Sequence, residues 1–502
     1  MSQYITKTIY LDFLACPKNA WLKLNQPELA SQFTLSAFER GLMASGNLVE
    51  QWARKLFPKG RLIESRDLEA VRETVELINQ KQSVIFQSTF KKDKFLVRND
   101  VLEYDEASQA WNLYEIKGTN TIKENVKELD HIEDATFQYA VLLETGLPIN
   151  QVFLIHLNKD YVRQGEIELE SLFKIEDITD SVKERETNTR LRMEKVLAEF
   201  SQTDEATLTC TCLYSGRSNQ CSTFNYSYPE VPAYSVHDLS RIGSSKKKLT
   251  ELVDSGILDL NDIPDGFKLS VIQRNQVDVY QSQKSIIDLP AIKAELSNLE
   301  YPLYFLDYET YAAAIPLFSG YHPYQQITFQ FSLHILTEEG GEVRHAEFLS
   351  LSPEDPVPEL VAALKKNIGP VGRIIVWNKG FENSRNIEMA KILPQEKQFI
   401  LGLNKRVYDL IDVFTKQYYV HPGFEGKTTI KKVLPVMVPE LSYEGLEIKE
   451  GGTASDTWYQ QVLRAPASPS REKAIGDLLK YCALDTYAMY AIWLELKKLI
   501  PA

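Results

Sequence analysis

The sequence predicts a multidomain α/β protein, and three observations carry that expectation. Its 502 residues exceed what one hydrophobic core usually organises. Near 93–118 two strand-like runs are joined by a short polar turn, and a helical run follows near 129–145. After Tyr301, apolar strands at 302–310 and 372–378 alternate with polar helices. There is no internal repeat and no low-complexity tract, so the divisions follow changes of pattern. Residues 1–232 form a first domain that ends in a cysteine cluster. Residues 233–297 read as a helical connector, where Gly256 ends one helix and the turn Asp262-Ile263-Pro264 starts the next. Residues 298–502 form the last domain.

An apolar fraction of 44% with 25% charged residues is ordinary for globular protein. No run of eighteen apolar residues occurs, and the first twenty residues lack a basic stretch followed by an apolar one, so no membrane association and a cytoplasmic location are expected. The net charge of −13 argues against a protein that coats nucleic acid, because neutralising phosphate takes Lys and Arg. A protein that holds cations on clustered carboxylates carries negative charge for that purpose and keeps local basic patches. Lys91-Lys92-Asp93-Lys94 and Lys246-Lys247-Lys248 are such patches, read here as solvated surface.

The runs at 95–105 and 110–117 are expected to form a hairpin over the turn Glu106-Ala107-Ser108-Gln109. Asp100 lies on the first strand. Glu115 and Lys117 lie two apart on the second, so period-two alternation points both the same way. A carboxylate from each strand plus a lysine suits one or two divalent cations and an attacking water, whose pKa the metal lowers while the lysine supports charge on a phosphate. Upstream, Phe38, Leu42, Val49, Trp52 and Leu56 have helical apolar spacing, and Glu50 follows Gly46 by one turn, where a missing side chain leaves room for a metal. Downstream, the helix around Asp134 to Tyr139 offers Gln138.

The ordered set Glu50, Asp100, Glu115-x-Lys117 and Gln138 resembles PD-(D/E)XK nucleases of the RecB type, across roughly residues 1–225. The resemblance implies a restriction-endonuclease-like domain, with Asp100 and Glu115 as Mg²⁺ or Mn²⁺ ligands and Glu50, Lys117 and Gln138 completing the catalytic set. One departure is Leu142, with Tyr139 nearby, where such sequences often carry a Tyr four residues after the Gln.

Five cysteines are too few for a disulfide scaffold in so long a chain, yet Cys210, Cys212 and Cys221 cluster. With Cys16 they make a complete thiolate set for zinc or an iron–sulfur cluster, of structural role. One cysteine before the nuclease core and three after it resembles the iron–sulfur nucleases of the CRISPR-adaptation and helicase–nuclease families, which implies a [4Fe–4S] cluster. The spacing C-x-C-x8-C departs from the commoner C-x2-C-x5-C, and Zn²⁺ is the alternative. Cys482, in a C-terminal helical run, is expected to be a core residue.

Asp307 and Glu309 lie two apart on an apolar strand, and two acids projecting together from a buried strand are costly without cations. The strand at 372–378 leads through Phe381-Glu382 into a helix. Near the C-terminus Tyr481 and Asp485 are four apart on one helical face. The order D-x-E, N-x-x-x-acid, Y-x-x-x-D resembles the DEDD exonucleases of the RNase H-like fold, in the variant with a tyrosine at the site, over about residues 300–502. It implies Asp307, Glu309, Glu382 and Asp485 as ligands of two cations and Tyr481 as the residue positioning the water. Glu382 stands where that family usually has Asp, and Asp409 and Asp412 are spare acids, either of which is an alternative partner. The stretch 428–458 also resembles a bacterial domain family of unknown function that is classed with RNase H-like exonucleases and often follows a RecB-like domain.

Together these resemblances imply a metal-dependent deoxyribonuclease, exonucleolytic from the 3′ side at its C-terminal centre, in DNA repair or defence. A nucleic-acid-binding scaffold with degenerate sites and an RNase are the alternatives. Protein partners leave no trace in the sequence.

Overall fold

Two compact units emerge from the chain in a computed structural model that describes residues 4–31, 37–124, 130–201, 205 and 208–500. The first comprises 1–230 together with 314–324, and the second 231–313 together with 325–502. Both are mixed α/β, and among the described residues no helix is long and apolar enough to cross a membrane.

The first unit is built on a six-stranded sheet in sequential order: β1 (Arg61–Leu62), β2 (Val84–Lys92), β3 (Phe95–Asp105), β4 (Ala110–Lys117), β5 (Ile149–Leu157) and β6 (Phe173–Asp177). β3 and β4 are antiparallel, with Asp105 opposite Ala110, so the polar turn falls where the alternation of the flanking strands requires. β4 and β5 are parallel, and the helix His131–Glu144 makes the crossover between them. Alternation sorts side chains to two faces. Ile85, Leu102 and Leu113 join Tyr10, Phe137 and Val196 in one core, whereas Phe86, Val101, Tyr114 and Ile116 join Val49 and Ala53 in the other. The crossover helix is buried from His131 to Leu142, which is why its text lacks a polar stripe. Asp130 caps it by accepting from the Ile132 and Glu133 amides.

The helix Ala37–Ala53 supplies Val49 and Ala53 to its core. Leu42, expected on that apolar face, is instead 53% exposed because it overlooks a cavity, and the Phe38 side chain lies outside the described residues.

In the second unit, β7 (Ile286–Ile287) pairs with β13 (Tyr419–Val420), and a five-stranded sheet is made by β8 (Leu303–Ala312), β9 (Gln326–Leu336), β10 (Val343–Leu349), β11 (Arg373–Val376) and β12 (Val407–Asp409). Its order is β10-β9-β8-β11-β12, antiparallel on the β9 side of β8 and parallel on the β11 side. On central β8, Tyr304, Leu306 and Tyr308 pack against Val357, Leu360 and Met389. Phe305 faces the opposite way, onto Tyr490 and Trp493 of the long helix Pro469–Lys498. Asp307 and Glu309 share that second face by period two. The stretch read as a connector contains the helices Lys246–Asp254, Val271–Ser282 and Leu289–Ser297 and belongs to this second unit. Gly256, at φ +73, follows the first of these, in a region that costs glycine little.

Candidate metal centres

In the first unit Glu115 is the hub, only 1% exposed. Its Oε1 accepts from Lys117 Nζ at 2.8 Å and from Lys7 Nζ at 2.6 Å, and its Oε2 accepts from Gln138 Nε2 at 2.8 Å. Glu115 and Lys117 thus meet on one face of β4, as alternation requires. Gln138 Nε2 also donates to Asp134 Oδ1 at 2.9 Å, and its Oε1 accepts from Asn99 Nδ2 at 2.8 Å. Asp134 is a further ion-pair partner of Lys117, and Lys7 Nζ lies 3.6 Å from it. Burial works against its charge, but Lys117 and then Lys7 win and hold its carboxyl below the ordinary range.

Asp100 Oδ2 accepts from the Ile116 amide at 2.8 Å and its Oδ1 from Gln87 Nε2 at 3.2 Å. Burial, reinforced by Glu115, pushes its carboxyl up to about 8. Gln87, at φ 59 although not a glycine, also donates to Glu50, which pairs with Arg54. Glu50 is therefore joined to Asp100 through Gln87, one shell from Glu115. Leu142 and Tyr139, the departure from the expected helix motif, are buried in the core. Beside Lys117 and Asp134 opens a cavity of about 410 Å³. Gly46 and Gly118 border it, and an ideal Cβ on Gly118 would stand 3.5 Å from Gly46 Cα.

The second unit gathers four acids. Asp307 and Glu309 project from β8, and oxygen atoms of both lie with Cys482 Sγ inside a 4.8 Å group. Glu309, Glu382 and Asp485 are buried, while Asp307 is partly open to solvent. Burial raises all four acids, and repulsion within the set adds to it at Asp307 and Glu309. Asp307 is raised well above the ordinary range by burial, then by Asp485, Glu309 and Glu382, and Glu309 is raised likewise. Glu382 is pushed to about 8 by burial, and Asp485 to about 6 by burial against the help of Tyr443 and Lys431. Among the described residues Glu382 Oε2 is buried without a hydrogen-bond partner. Tyr443 donates to Asp485 Oδ1 at 2.6 Å. Lys431 donates to Tyr481 Oη at 3.2 Å and lies over both tyrosine rings, 5.6 Å from Tyr443 and 5.3 Å from Tyr481.

Of the spare acids, Asp409 lies close enough to Glu382 to help raise its carboxyl and also accepts two backbone amides, whereas Asp412 pairs with a lysine. Asp409 accepts from the Asn378 amide at 2.9 Å and the Lys379 amide at 2.8 Å, anchoring the start of the helix Lys379–Ile392. Asp412 pairs with Lys416 at 3.1 Å. Cys482 is buried as expected, yet it also faces the acids, its Sγ 3.7 Å from Asp307 Oδ2. Lys7, Gln87, Asp134, Lys431 and Tyr443 escaped the sequence reading. Asp134 alone had a local signal, standing four before Gln138 on one helix.

Cys16, Cys210, Cys212 and Cys221 form a second close group, all sulfurs within 4.8 Å of one another. Cys16 Sγ is 3.5 Å from Cys210 Sγ, and Cys210 Sγ is 3.7 Å from Cys221 Sγ. Cys16 stands at the N-cap of the helix Pro17–Asn25. Asn19, three residues on, accepts from Ser222 Oγ at 3.1 Å and Thr223 Oγ1 at 2.9 Å, and Tyr228 donates to the Cys210 carbonyl at 2.9 Å.

Residues 304–429 match a family described as "Domain of unknown function (DUF2779)". That segment holds Asp307, Glu309 and Glu382 and ends before Lys431. The chain is similar, at 23% identity over 57% of its length, to the uncharacterized protein MG366 of Mycoplasma genitalium, 43% of which is covered. Similarity at 27% identity to the uncharacterized protein UU173 of Ureaplasma parvum serovar 3 spans 46% of this chain and 35% of that protein. The MG366 homolog of Mycoplasma pneumoniae, also uncharacterized, is 24% identical over 44% of this chain and 36% of its own. The chain thus spans less than half the length of each of these curated relatives.

Proposed function

We propose that this chain is a metal-dependent nuclease that hydrolyses phosphodiester bonds of DNA, with exonucleolytic 3′ to 5′ action at its C-terminal centre. One observation carries the reading. Asp307, Glu309, Glu382 and Asp485 all have carboxyl groups raised by burial, and at Asp307 and Glu309 the charges of Asp485 and Glu382 raise them further, an arrangement that divalent cations relieve. The donor set is all oxygen, as Mg²⁺ and Mn²⁺ prefer, and the unpartnered Glu382 Oε2 is a free ligand atom. The order β10-β9-β8-β11-β12 with the D-x-E pair on central β8 supports an RNase H-like assignment. The parallel β4–β5 pair bridged by the Gln138 helix supports a PD-(D/E)XK assignment for the first unit.

Asp307, Glu309, Glu382 and Asp485 would hold divalent cations, which would supply an activated water and charge stabilisation at the leaving oxygen. The remaining chemistry belongs to the chain's own residues. Lys431 donates to Tyr481 Oη, which leaves the Tyr481 proton free to be directed at Asp485 or at a water beside it. Tyr443 fixes the Asp485 carboxylate through its hydrogen bond, so the acid does not rotate away when protonation changes.

A second reading holds for the first centre alone. There Lys7 and Lys117 already neutralise Glu115 and Asp134, and Gln138 and Gln87 fill further acceptor sites, so a binding role without cleavage suits that centre. The test uses anaerobically purified protein with matched 5′-labelled DNA and RNA strands and Mg²⁺ or Mn²⁺. Loss of DNA shortening in Asp307→Ala but not Lys117→Ala is expected. Cleavage that survives Asp307→Ala and vanishes in Lys117→Ala reassigns the work to the first centre. Absence of cleavage with either nucleic acid favours a scaffold, in repair or defence alike.

A further inference from the structure

The cysteine group does not fit the cofactor that its resemblance implies. We propose that Cys16, Cys210, Cys212 and Cys221 hold a single tetrahedral zinc ion and not a [4Fe–4S] cluster. The sulfur geometry carries the proposal. A zinc–thiolate bond of about 2.3 Å sets the edges of an ideal ZnS₄ tetrahedron at about 3.8 Å. The sulfurs stand at 3.5 Å for Cys16 and Cys210 and at 3.7 Å for Cys210 and Cys221, with all four inside 4.8 Å. In a cubane each thiolate binds a different iron, and the iron and sulfide core lies between them. Sulfurs this close leave room for one ion at their centre and none for such a core.

The local sequence explains the close approach. Cys210 precedes, and Cys212 lies in, the tight turn Thr211–Tyr214, so a single intervening residue folds both sulfurs onto one point. In the commoner C-x2-C-x5-C pattern both intervals differ, so the departure seen in the sequence and the compact geometry agree. Protein hydrogen bonds then lock the closed form. Asn19 ties the Cys16 helix to Ser222 and Thr223 beside Cys221, and Tyr228 ties the Cys210 carbonyl. Widening the group to admit a cluster would stretch these bonds as well as the sulfur contacts. The inference is independent of either acidic centre, because it concerns metal identity and would stand if neither cleaved.

The experiment purifies the full chain without oxygen from iron-replete cells, then challenges it with ferrous iron and sulfide. Metal content, acid-labile sulfide and the visible spectrum are read before and after. One zinc per chain, no labile sulfide and a colourless protein in both samples are the expected result. Iron with matching labile sulfide and a brown charge-transfer absorption, in either sample, overturns the proposal. So does a single iron without sulfide, or a folded protein with no metal. A Cys221→His variant separates loss of fold from loss of ligand. A zinc site accepts three thiolates and an imidazole, so this variant is expected to retain one zinc equivalent; a folded Cys221→His protein without zinc contradicts the assignment.

Discussion

Tyr443 donates its hydroxyl hydrogen to Asp485 Oδ1 across 2.6 Å, and Asp485 is the acid whose pKa, about 6, is raised least far towards neutrality among those with values near it. The bond links a loop residue to a helix residue and fixes the carboxylate that faces Asp307 and Glu309. Tyr443→Phe removes the bond and keeps the ring. Outer partners of this kind are worth about 10- to 100-fold in metal affinity. A Mn²⁺ titration followed by calorimetry is expected to show such a loss in Tyr443→Phe, and an unchanged affinity would remove Tyr443 from the site.

At the first centre, Lys7 is an internal counter-ion. Lys7→Met leaves Glu115 with Lys117 alone, and a buried carboxylate deprived of one partner costs about 1–3 kcal/mol. Urea unfolding is expected to show that loss without metal. If the vacated position accepts a cation, added Mn²⁺ restores part of it in the variant more than in the parent chain.

A pH effect follows from His334. Burial, then the stacked ring of His345 with centroids 4.4 Å apart, lowers its pKa to about 4, and Thr486 hydrogen-bonds its Nδ1 at 2.8 Å. In the unfolded chain the imidazole titrates near 6.5, so between those values the unfolded state binds more protons. Its contribution is therefore present in full above about 6.5 and lost as pH falls towards 4, at most about 3 kcal/mol. The fall in stability between pH 7 and pH 4 is expected to be shallower in His334→Gln than in the parent chain, whatever the variant's absolute stability.

Gly372 enters β11 at φ +91, and a Cβ there would stand 2.2 Å from the Pro302 carbonyl oxygen. Both the backbone conformation and the contact resist a side chain. Gly372→Ala is expected to cost about 2–4 kcal/mol in denaturant unfolding. A loss within 0.5 kcal/mol would mean that the β8–β11 edge relaxes freely.

What the sequence disclosed was whatever a local period encodes. Asp307 with Glu309, and Glu115 with Lys117, stood two apart on apolar strands, and Tyr481 with Asp485 stood four apart on a helix. Alternation and helical spacing bring each pair together. The rest depended on chain reversals that no local pattern encodes. Lys7 lies 108 positions from Glu115, and Tyr443 lies 42 from Asp485. Asp409 looked as eligible as Glu382 in the sequence, and only the fold shows its carboxylate held by the amides of Asn378 and Lys379 near Glu382. Cys482 read as core because its helix is apolar there, and the contact of its sulfur with Asp307 had no sequence sign. The order of strands around β8 was likewise invisible, since parallel and antiparallel neighbours share the same apolar text.

The central claim is that the acids on β8 and the C-terminal helix bind the cations that drive phosphodiester hydrolysis. The most direct measurement is the single-turnover rate of Mn²⁺-dependent shortening of 5′-labelled single-stranded DNA by the intact chain and by Asp307→Asn. This change removes one charge and keeps the shape of the side chain. The account predicts a ladder shortening from the 3′ end in the parent chain and a rate at least about 100-fold lower in Asp307→Asn. Equal rates in the two proteins, or no metal-dependent shortening in either, would contradict it.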